Sequence, residues 1–150
     1  MITYHDGDLL ESDCDIIAHQ VNEYGVMSAG IAAQIKKKYF EAFLSYRSIA
    51  DEAQRSNIIG YVHFVETGCS KNHIANCFSQ RNGVTDYKAL KRVVNSVKNY
   101  AISNNLHTVG IPYKYGCGIA HGDWKEVEKI WTDAFNDSHI ELQIWRLDRV

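Results

Sequence analysis

The chain has a single proline and no low-complexity tract, which leaves no place for a linker between domains. It has no secretory hydrophobic segment at its start and no apolar run approaching ~18 residues, so nothing in it reads as a membrane span. An excess of one charge is also missing. Sixteen Lys and Arg stand against eighteen Asp and Glu, a net charge of -2, which argues against a nucleic-acid surface held by bulk electrostatics. Any anion must then be caught locally, by aimed amides. The four cysteines (Cys14, Cys69, Cys77 and Cys117) contain no C-x-x-C pair, and no H-E-x-x-H occurs. Zinc spacing is therefore absent, and neither a metal nor a cofactor is expected. Free thiols in a reduced, cytoplasmic protein are the plain reading.

Two familiar phosphate loops are absent as well. A Walker A loop needs Lys and Ser or Thr after its last glycine, but Gly122 is followed by Asp123 and Trp124. The dinucleotide fingerprint G-x-G-x-x-G fails because Gly118 and Gly122 are separated by three residues.

What is present is a strand, a glycine turn and a helix start in succession. Thr108 to Pro112 is a short apolar strand, and Gly116, Gly118 and Gly122 space the turn that follows. A helix then begins near Asp123, with Trp124, Val127, Ile130, Trp131 and Ala134 on one face. Glycines let successive N–H groups turn inward, and the helix start adds unpaired donors and a positive dipole end. The natural guest is a phosphate or diphosphate.

At 150 residues the chain is expected to form one domain, residues 1–150, with a proper core. Ile2–His5 reads as a strand ended by Asp6-Gly7-Asp8, and Asp15–Val21 as a strand buried on both faces. Asn22 to Gly30 is a second glycine loop, with helices expected over Ile31–Tyr39 and from Phe40 to about Gln54. Tyr61–Thr67 and His73–Phe78 read as strands around a Gly-Cys-Ser-Lys-Asn turn, followed by a long helix over Asp86–Asn104. Ile140–Leu147 closes the chain as a strand. Strands and helices interleave throughout, which predicts an α/β fold, a three-layer α/β/α sandwich with a central mixed sheet. Lys36–Lys38 reads as a solvated helix end, and Trp124 and Trp131 as core.

The pieces Gly7-Asp8-Leu9-Leu10, His19-Gln-Val-Asn22, Gly25-Val-Met27, Ala29-Gly30-Ile31-Ala32, Asn76-Cys-Phe78-Ser-Gln80 and Ile111 through Trp124 follow one another in order. Together they make the chain resemble the macro domain family, the ADP-ribose-binding α/β/α modules. The resemblance is strongest to the bacterial and phage branch that includes ADP-ribose-1''-phosphate phosphatases, and extends to the branch that removes ADP-ribose from proteins or DNA. It implies that ADP-ribose or a derivative is the partner, free or carried on an ADP-ribosylated macromolecule.

By that resemblance Asp8 would accept a hydrogen bond from the adenine amino group, with the backbone at Leu9 beside it. A carboxylate reads an exocyclic amine well, although a plain turn residue also fits the position. Asn22 would contact the distal ribose, with Gly25, Ala29, Gly30 and Ile31 lending backbone to that ribose and the diphosphate. Gly116, Cys117, Gly118, Ile119 and Ala120 would wrap the diphosphate. Many relatives carry a glycine where this chain has Ser28.

Cleavage chemistry would need a positioned water and usually a general base. The candidates are His19, Asn22, Gln80 and Asp123, with His121 nearby in the turn. His19 also reads as a satisfied core histidine, Asp123 as a helix cap with Glu126 three residues on, and Cys117 as a small packed residue. In relatives that work through a covalent lysine adduct, a lysine follows the Asn76 strand and an acid stands two residues after the second loop glycine. Gln80 and Ala120 occupy those places here, so that route looks closed and a water-based one remains. The alternative is a module that binds ADP-ribose without turning it over.

Overall fold

The computed structural model describes residues 1–51, 55–68 and 71–147. In chain order the strands are β1 (Ile2–Asp6), β2 (Ile16–Gln20), β3 (Val62–Glu66), β4 (His73–Cys77), β5 (Gln80–Arg81), β6 (Val84–Thr85), β7 (Thr108–Pro112) and β8 (Glu141–Arg146). The helices are α1 (Gly30–Lys38), α2 (Phe40–Ile49), α3 (Arg55–Ile58), α4 (Tyr87–Ser103) and α5 (Trp124–Phe135).

β2 explains the layering. Side chains alternate across a strand, yet its first four residues are all buried. Ile16 and Ala18 enter one core with Leu90, Val93 and Val97 of α4 and Val127 and Trp131 of α5. Ile17 points the other way, into a cluster with Ile35 of α1, Tyr39 and Ala42 of α2. A strand apolar on both faces needs a helical layer on each, and a three-layer α/β/α sandwich results.

The main sheet has strand order β1-β8-β7-β2-β4-β3. All its pairings are parallel except β3 with β4, which makes it mixed, as expected. The long helix starts where its cap says it should. The Asp86 carboxylate accepts from the Ala89 N–H at 3.0 Å, and this bond holds its pKa below the usual carboxylate range. α2 ends at Ile49, and the sequence expectation of a helix reaching Gln54 runs into residues outside those described, as do Cys69 and Ser70 of the expected turn. No helix among the described residues is long and apolar enough to cross a membrane.

Trp131 is fully buried, as a core residue should be, and Trp124 packs half-buried against the same cluster. Lys37 and Lys38 are exposed, as expected of a solvated helix end, and Lys36 is half-buried. Lys36 Nζ lies 4.3 Å from the centre of the Phe43 ring, and Lys38 Nζ donates to the Leu10 carbonyl.

A close approach on β7 sets the height of the first loop. A Cβ on Gly110 would lie 2.5 Å from Leu9 Cδ1 and 2.7 Å from Cys14 Sγ, both in buried residues. Leu9 rests where a side chain would otherwise stand. Gly110→Ala is therefore expected to cost about 1–3 kcal/mol by overpacking, read as a lowered urea midpoint with an unchanged m-value.

Candidate functional site: a glycine-lined cleft at the carboxyl ends of the strands

The registers Asp6 with Arg146, Pro112 with Trp145 and Gln20 with Cys77 align the C-terminal ends of the parallel strands. The segments that leave them therefore emerge at one edge of the sheet: Gly7–Leu9, Asn22–Gly30, Phe78–Gln80 and Tyr113–Asp123. Ligands in open α/β sheets gather at this edge. β1 is three strands from β2 in the sheet, roughly 14 Å at the usual spacing, so the edge suits an elongated guest.

The turn after β7 is folded around its own carbonyls. The Gly122 N–H donates to Gly116 O at 2.9 Å, and the Thr85 hydroxyl donates to the same oxygen at 2.6 Å. With Gly116 O turned inward, the turn is closed at its base. Gly116 adopts φ +68, and a Cβ there would lie 2.9 Å from Thr85 Oγ1 and 3.0 Å from the Gln20 amide. Beneath the turn the bonds run in one direction. The Ser79 hydroxyl donates to Gln20 Oε1 at 2.7 Å, and Gln20 Nε2 donates to Thr85 Oγ1 at 3.0 Å. Tyr115 OH lies 2.6 Å from Ser79 Oγ. Gly118 and Ile119 are exposed, Ile119 at 80%, while Ala120 is buried.

Cys117 is half-buried, and burial followed by the Asp123 carboxylate pushes its thiol pKa up. A thiol held protonated is a poor nucleophile, which agrees with a packing role. Asp123 is exposed and caps α5, accepting from the Lys125 N–H at 3.1 Å.

The second glycine loop is organised by Asn22. Its Oδ1 accepts from the backbone N–H of Tyr24 at 3.0 Å and of Val26 at 3.3 Å, and from Tyr46 OH at 2.6 Å. Its Nδ2 donates to Val26 O at 2.7 Å. Most of the amide's capacity is thus spent on its own loop, leaving one N–H uncommitted. Gly25 (φ +79) is buried against Arg47 and Ala50, whereas Ala29 and Gly30 (φ +58) are exposed and Ile31 is half-buried. At the first loop Asp8 is exposed, and one of its oxygens accepts from the Leu10 N–H at 2.9 Å while Leu9 is buried. Asp8 is therefore a turn cap with a second oxygen to spare.

His19 needs correcting. Expected among the groups that orient water, its ring is wholly buried, with Nε2 2.6 Å from Asn76 Oδ1 and Nδ1 without a partner among the described residues. A side chain with no accessible surface touches neither ligand nor water in the cleft. Burial pulls its pKa down to about 4, against the weaker upward pull of Asn76. The unfolded ring titrates near ~6.5, so below that value the unfolded chain binds a proton that the folded one refuses. Stability from this group is complete above about pH 6.5 and is lost as pH falls toward 4, a difference on the order of 3 kcal/mol. Urea midpoints of the native chain should fall across that window. His19→Gln should flatten most of the slope and leave the smaller one from His63, also lowered by burial.

Gln80 is half-exposed on β5, where it pairs with Thr85 of β6. The turn between these strands contains Asn82 (φ 52) and Gly83 (φ 80), the two positive values of a type I′ hairpin. The Asn82 N–H donates to Glu23 Oε2 at 2.9 Å, which ties this hairpin to the Asn22 loop. Among the described residues no group of His, Cys, Asp and Glu side chains could hold a metal ion. An apolar cavity of about 360 Å³ lies at the outer end of the same sheet edge, between α2 and β3, walled by Ile49, Ile58, Val62 and Phe78 with His63 and Asn57. It lacks the amide-rich turns of the edge cleft, so charge has nothing there to hold it.

Among the supporting residues, Tyr46 and Thr85 are absent from the sequence expectations, and Gln20, Ser79 and Tyr115 fall within the matching pieces but carry no role there. Tyr46 lies 24 residues from the Asn22 it fastens, and no spacing rule joins them. Thr85 did have a signal, because Asn82-Gly83 between short extended segments marks a hairpin.

The family model for the macro domain matches residues 18–131. The chain belongs to the macro domain family. Among curated relatives, this macro domain is 32% identical over 146 residues to a DNA ADP-ribosyl glycohydrolase of Mycobacterium tuberculosis, covering 90% of the chain but 39% of the relative. It thus spans about two fifths of the mycobacterial relative's length. It is 25% identical over 150 residues to the human ADP-ribose glycohydrolase OARD1, covering 97% of the chain and 91% of the relative. Among solved structures, the macrodomain of Mycobacterium tuberculosis DarG superposes with TM-score 0.86 at 29% identity, covering 97% of each chain.

Proposed function

We propose that this macro domain binds ADP-ribose along the edge cleft and hydrolyses the bond joining it to a macromolecule, with ADP-ribosylated DNA as the favoured carrier. The observation that carries the reading is the convergence of the Gly116–Gly122 turn and the Asn22–Gly30 loop at one sheet edge, both rich in backbone N–H groups. Glycohydrolase relatives that match nearly the whole chain support the reaction class, and the mycobacterial one supports DNA.

In this reading the amides of Gly116 and of Gly118 to Ala120, with those of Ala29, Gly30 and Ile31, hold the diphosphate, while the Cys117 N–H closes the turn by donating to Lys114 O at 2.9 Å. Asp8 offers its spare oxygen to the adenine amine, and Leu9 offers its backbone beside it. Asn22 and Gly25 shape the loop around the distal ribose. Gln80 is a neutral amide that orients water beside the ribose carbon, while fixed dipoles stabilise charge on the departing group. No Schiff-base amine stands at Gln80, and no acid stands at Ala120. Asp123 serves as a cap rather than as a base.

The test is a panel of ADP-ribosylated single-stranded DNA, ADP-ribosylated protein, ADP-ribose-1''-phosphate and O-acetyl-ADP-ribose, assayed for released product. Release of ADP-ribose from the DNA, with no borohydride-trapped protein adduct, is expected. Release of phosphate from ADP-ribose-1''-phosphate alone would assign the same cradle to a phosphatase. The second reading, a module that binds without turnover, is favoured by Gln80 and Ala120. It stands if ADP-ribose binds and every substrate survives.

A further inference from the structure

We propose that the outer edge of the Asn22–Gly30 loop is a docking edge for single-stranded nucleic acid, built from Tyr24, Arg55, Arg47 and Lys36. The inference rests on the reading that ADP-ribosylated DNA is the substrate, and adds where the strand lies.

Tyr24 lies in the loop between Asn22 and Gly30, beside the hairpin that bears Gln80. Its ring is 42% exposed, and its hydroxyl donates to Asn82 Oδ1 at 3.3 Å, so it spans the gap between the Asn22 loop and the hairpin bearing Gln80. The Arg55 guanidinium lies 5.0 Å from the centre of that ring, and Arg55 Nε donates to Glu23 O at 3.2 Å. Arg47 follows on the same side, its Cγ 3.5 Å from where a Gly25 Cβ would be. Arg47 and Lys36 then flank the Phe43 ring at 5.3 and 4.3 Å, and the 52% exposed Phe40 ring packs 5.7 Å from Phe43. Cation and aromatic face thus alternate outward from the mouth of the cleft.

None of the three cations is in an ion pair among the described residues; the pairs found there use Lys38, Lys71, Arg81 and Lys129. Among the described residues of this stretch the exposed carboxylates are Glu41 and Asp51, and Glu23 is turned inward at 3% exposure. The exposed Tyr24 and Phe40 rings, with Arg55 against the first and Arg47 and Lys36 around the buried Phe43 that packs on the second, match an unstacked base beside a backbone phosphate, the recognition mode for single strands. A paired duplex would hide the base faces that Tyr24 and Phe40 offer. Three phosphate contacts on a single strand imply a log–log salt slope of only about -2, compatible with a net charge of -2 over the whole chain.

The test uses the full chain with a labelled, unmodified oligonucleotide of roughly 12 nucleotides, within the length single-strand grooves accommodate. It is paired with kcat/KM on an ADP-ribosylated oligonucleotide and on the matching ADP-ribosylated nucleoside. In Lys36→Glu/Arg47→Glu, oligonucleotide binding at low salt should weaken at least tenfold. Its kcat/KM on the modified oligonucleotide should fall likewise, while that on the nucleoside stays within about twofold. Arg55→Gln and Tyr24→Ala should act in the same direction, and the double variant leaves the loop backbone contacts of Arg55 intact. Equal losses on both substrates, or unchanged strand binding, would overturn the docking edge. If neither substrate is cleaved by the native protein, the hydrolase reading fails, and strand binding still decides this one.

Discussion

Gly122→Ala is expected to lower ADP-ribose affinity by about two orders of magnitude, close to 3 kcal/mol, with only a small change in thermal midpoint. The cause is distance rather than backbone conformation. A Cβ at this position would lie 2.5 Å from Gly116 O and 3.2 Å from Thr85 Oγ1. Gly116 O is a backbone atom, so it cannot swing aside as a side-chain tip would. It also accepts both bonds that close the turn, from the Gly122 N–H and the Thr85 hydroxyl. Forcing the two segments apart breaks both and re-aims the amides of Gly118 to Ala120. The sheet and helices beneath do not depend on that closure, so the fold should survive. Calorimetric titration beside a melting curve checks both halves. Affinity within threefold of the native chain would mean that the turn is not the anion cradle.

Asn22→Ala is the second large effect, and it should cost both stability and binding. Removing the amide strands the N–H groups of Tyr24 and Val26 and frees the Val26 carbonyl. Tyr46 OH keeps a bond to the Asn22 carbonyl at 2.8 Å, which limits the loss. Partly exposed unsatisfied groups put the expected destabilisation at about 1–3 kcal/mol. Affinity for ADP-ribose should drop more than ~30-fold, because the loop that carries Gly25 to Ile31 loses the side chain that folds it. Asn22→Asp keeps the acceptor for the same donors but sets a carboxylate oxygen against the Val26 carbonyl, so it should recover only part of the stability. If Asn22→Ala binds as tightly as the native chain, the loop is held by other means and its proposed place at the ribose is wrong.

Much of the architecture was legible in the chain, for identifiable reasons. Ile16-Ile17-Ala18 is apolar without alternation, a pattern that requires helices on both faces. Gly116, Gly118 and Gly122 stand too close together for an ordinary connection, and Asp123 marks the helix start. The family resemblance extended the same reading to Asp8 and Asn22. The rest depended on contacts between distant segments. His19 lies on a strand leading into the cleft, and only register and layer packing reveal that its ring points to Asn76 instead. Asn22 looked like a ligand contact, but its loop-folding bonds involve Tyr46 on a helix two elements away. The hairpin over Gln80 to Thr85 is too short for periodicity to register, although its Asn-Gly pair signalled the turn.

The most direct measurement of the central claim is a backbone amide NMR titration of the native chain with ADP-ribose. Saturable shifts should appear together at Gly116 to Ala120, at Gly25 to Ile31 and at Asp8 to Leu9, while the α2–β3 cavity around His63 and Val62 stays silent. Shifts confined to that cavity, or no saturable change up to millimolar ligand, would contradict a single guest held by separate glycine turns at the carboxyl edge of the sheet.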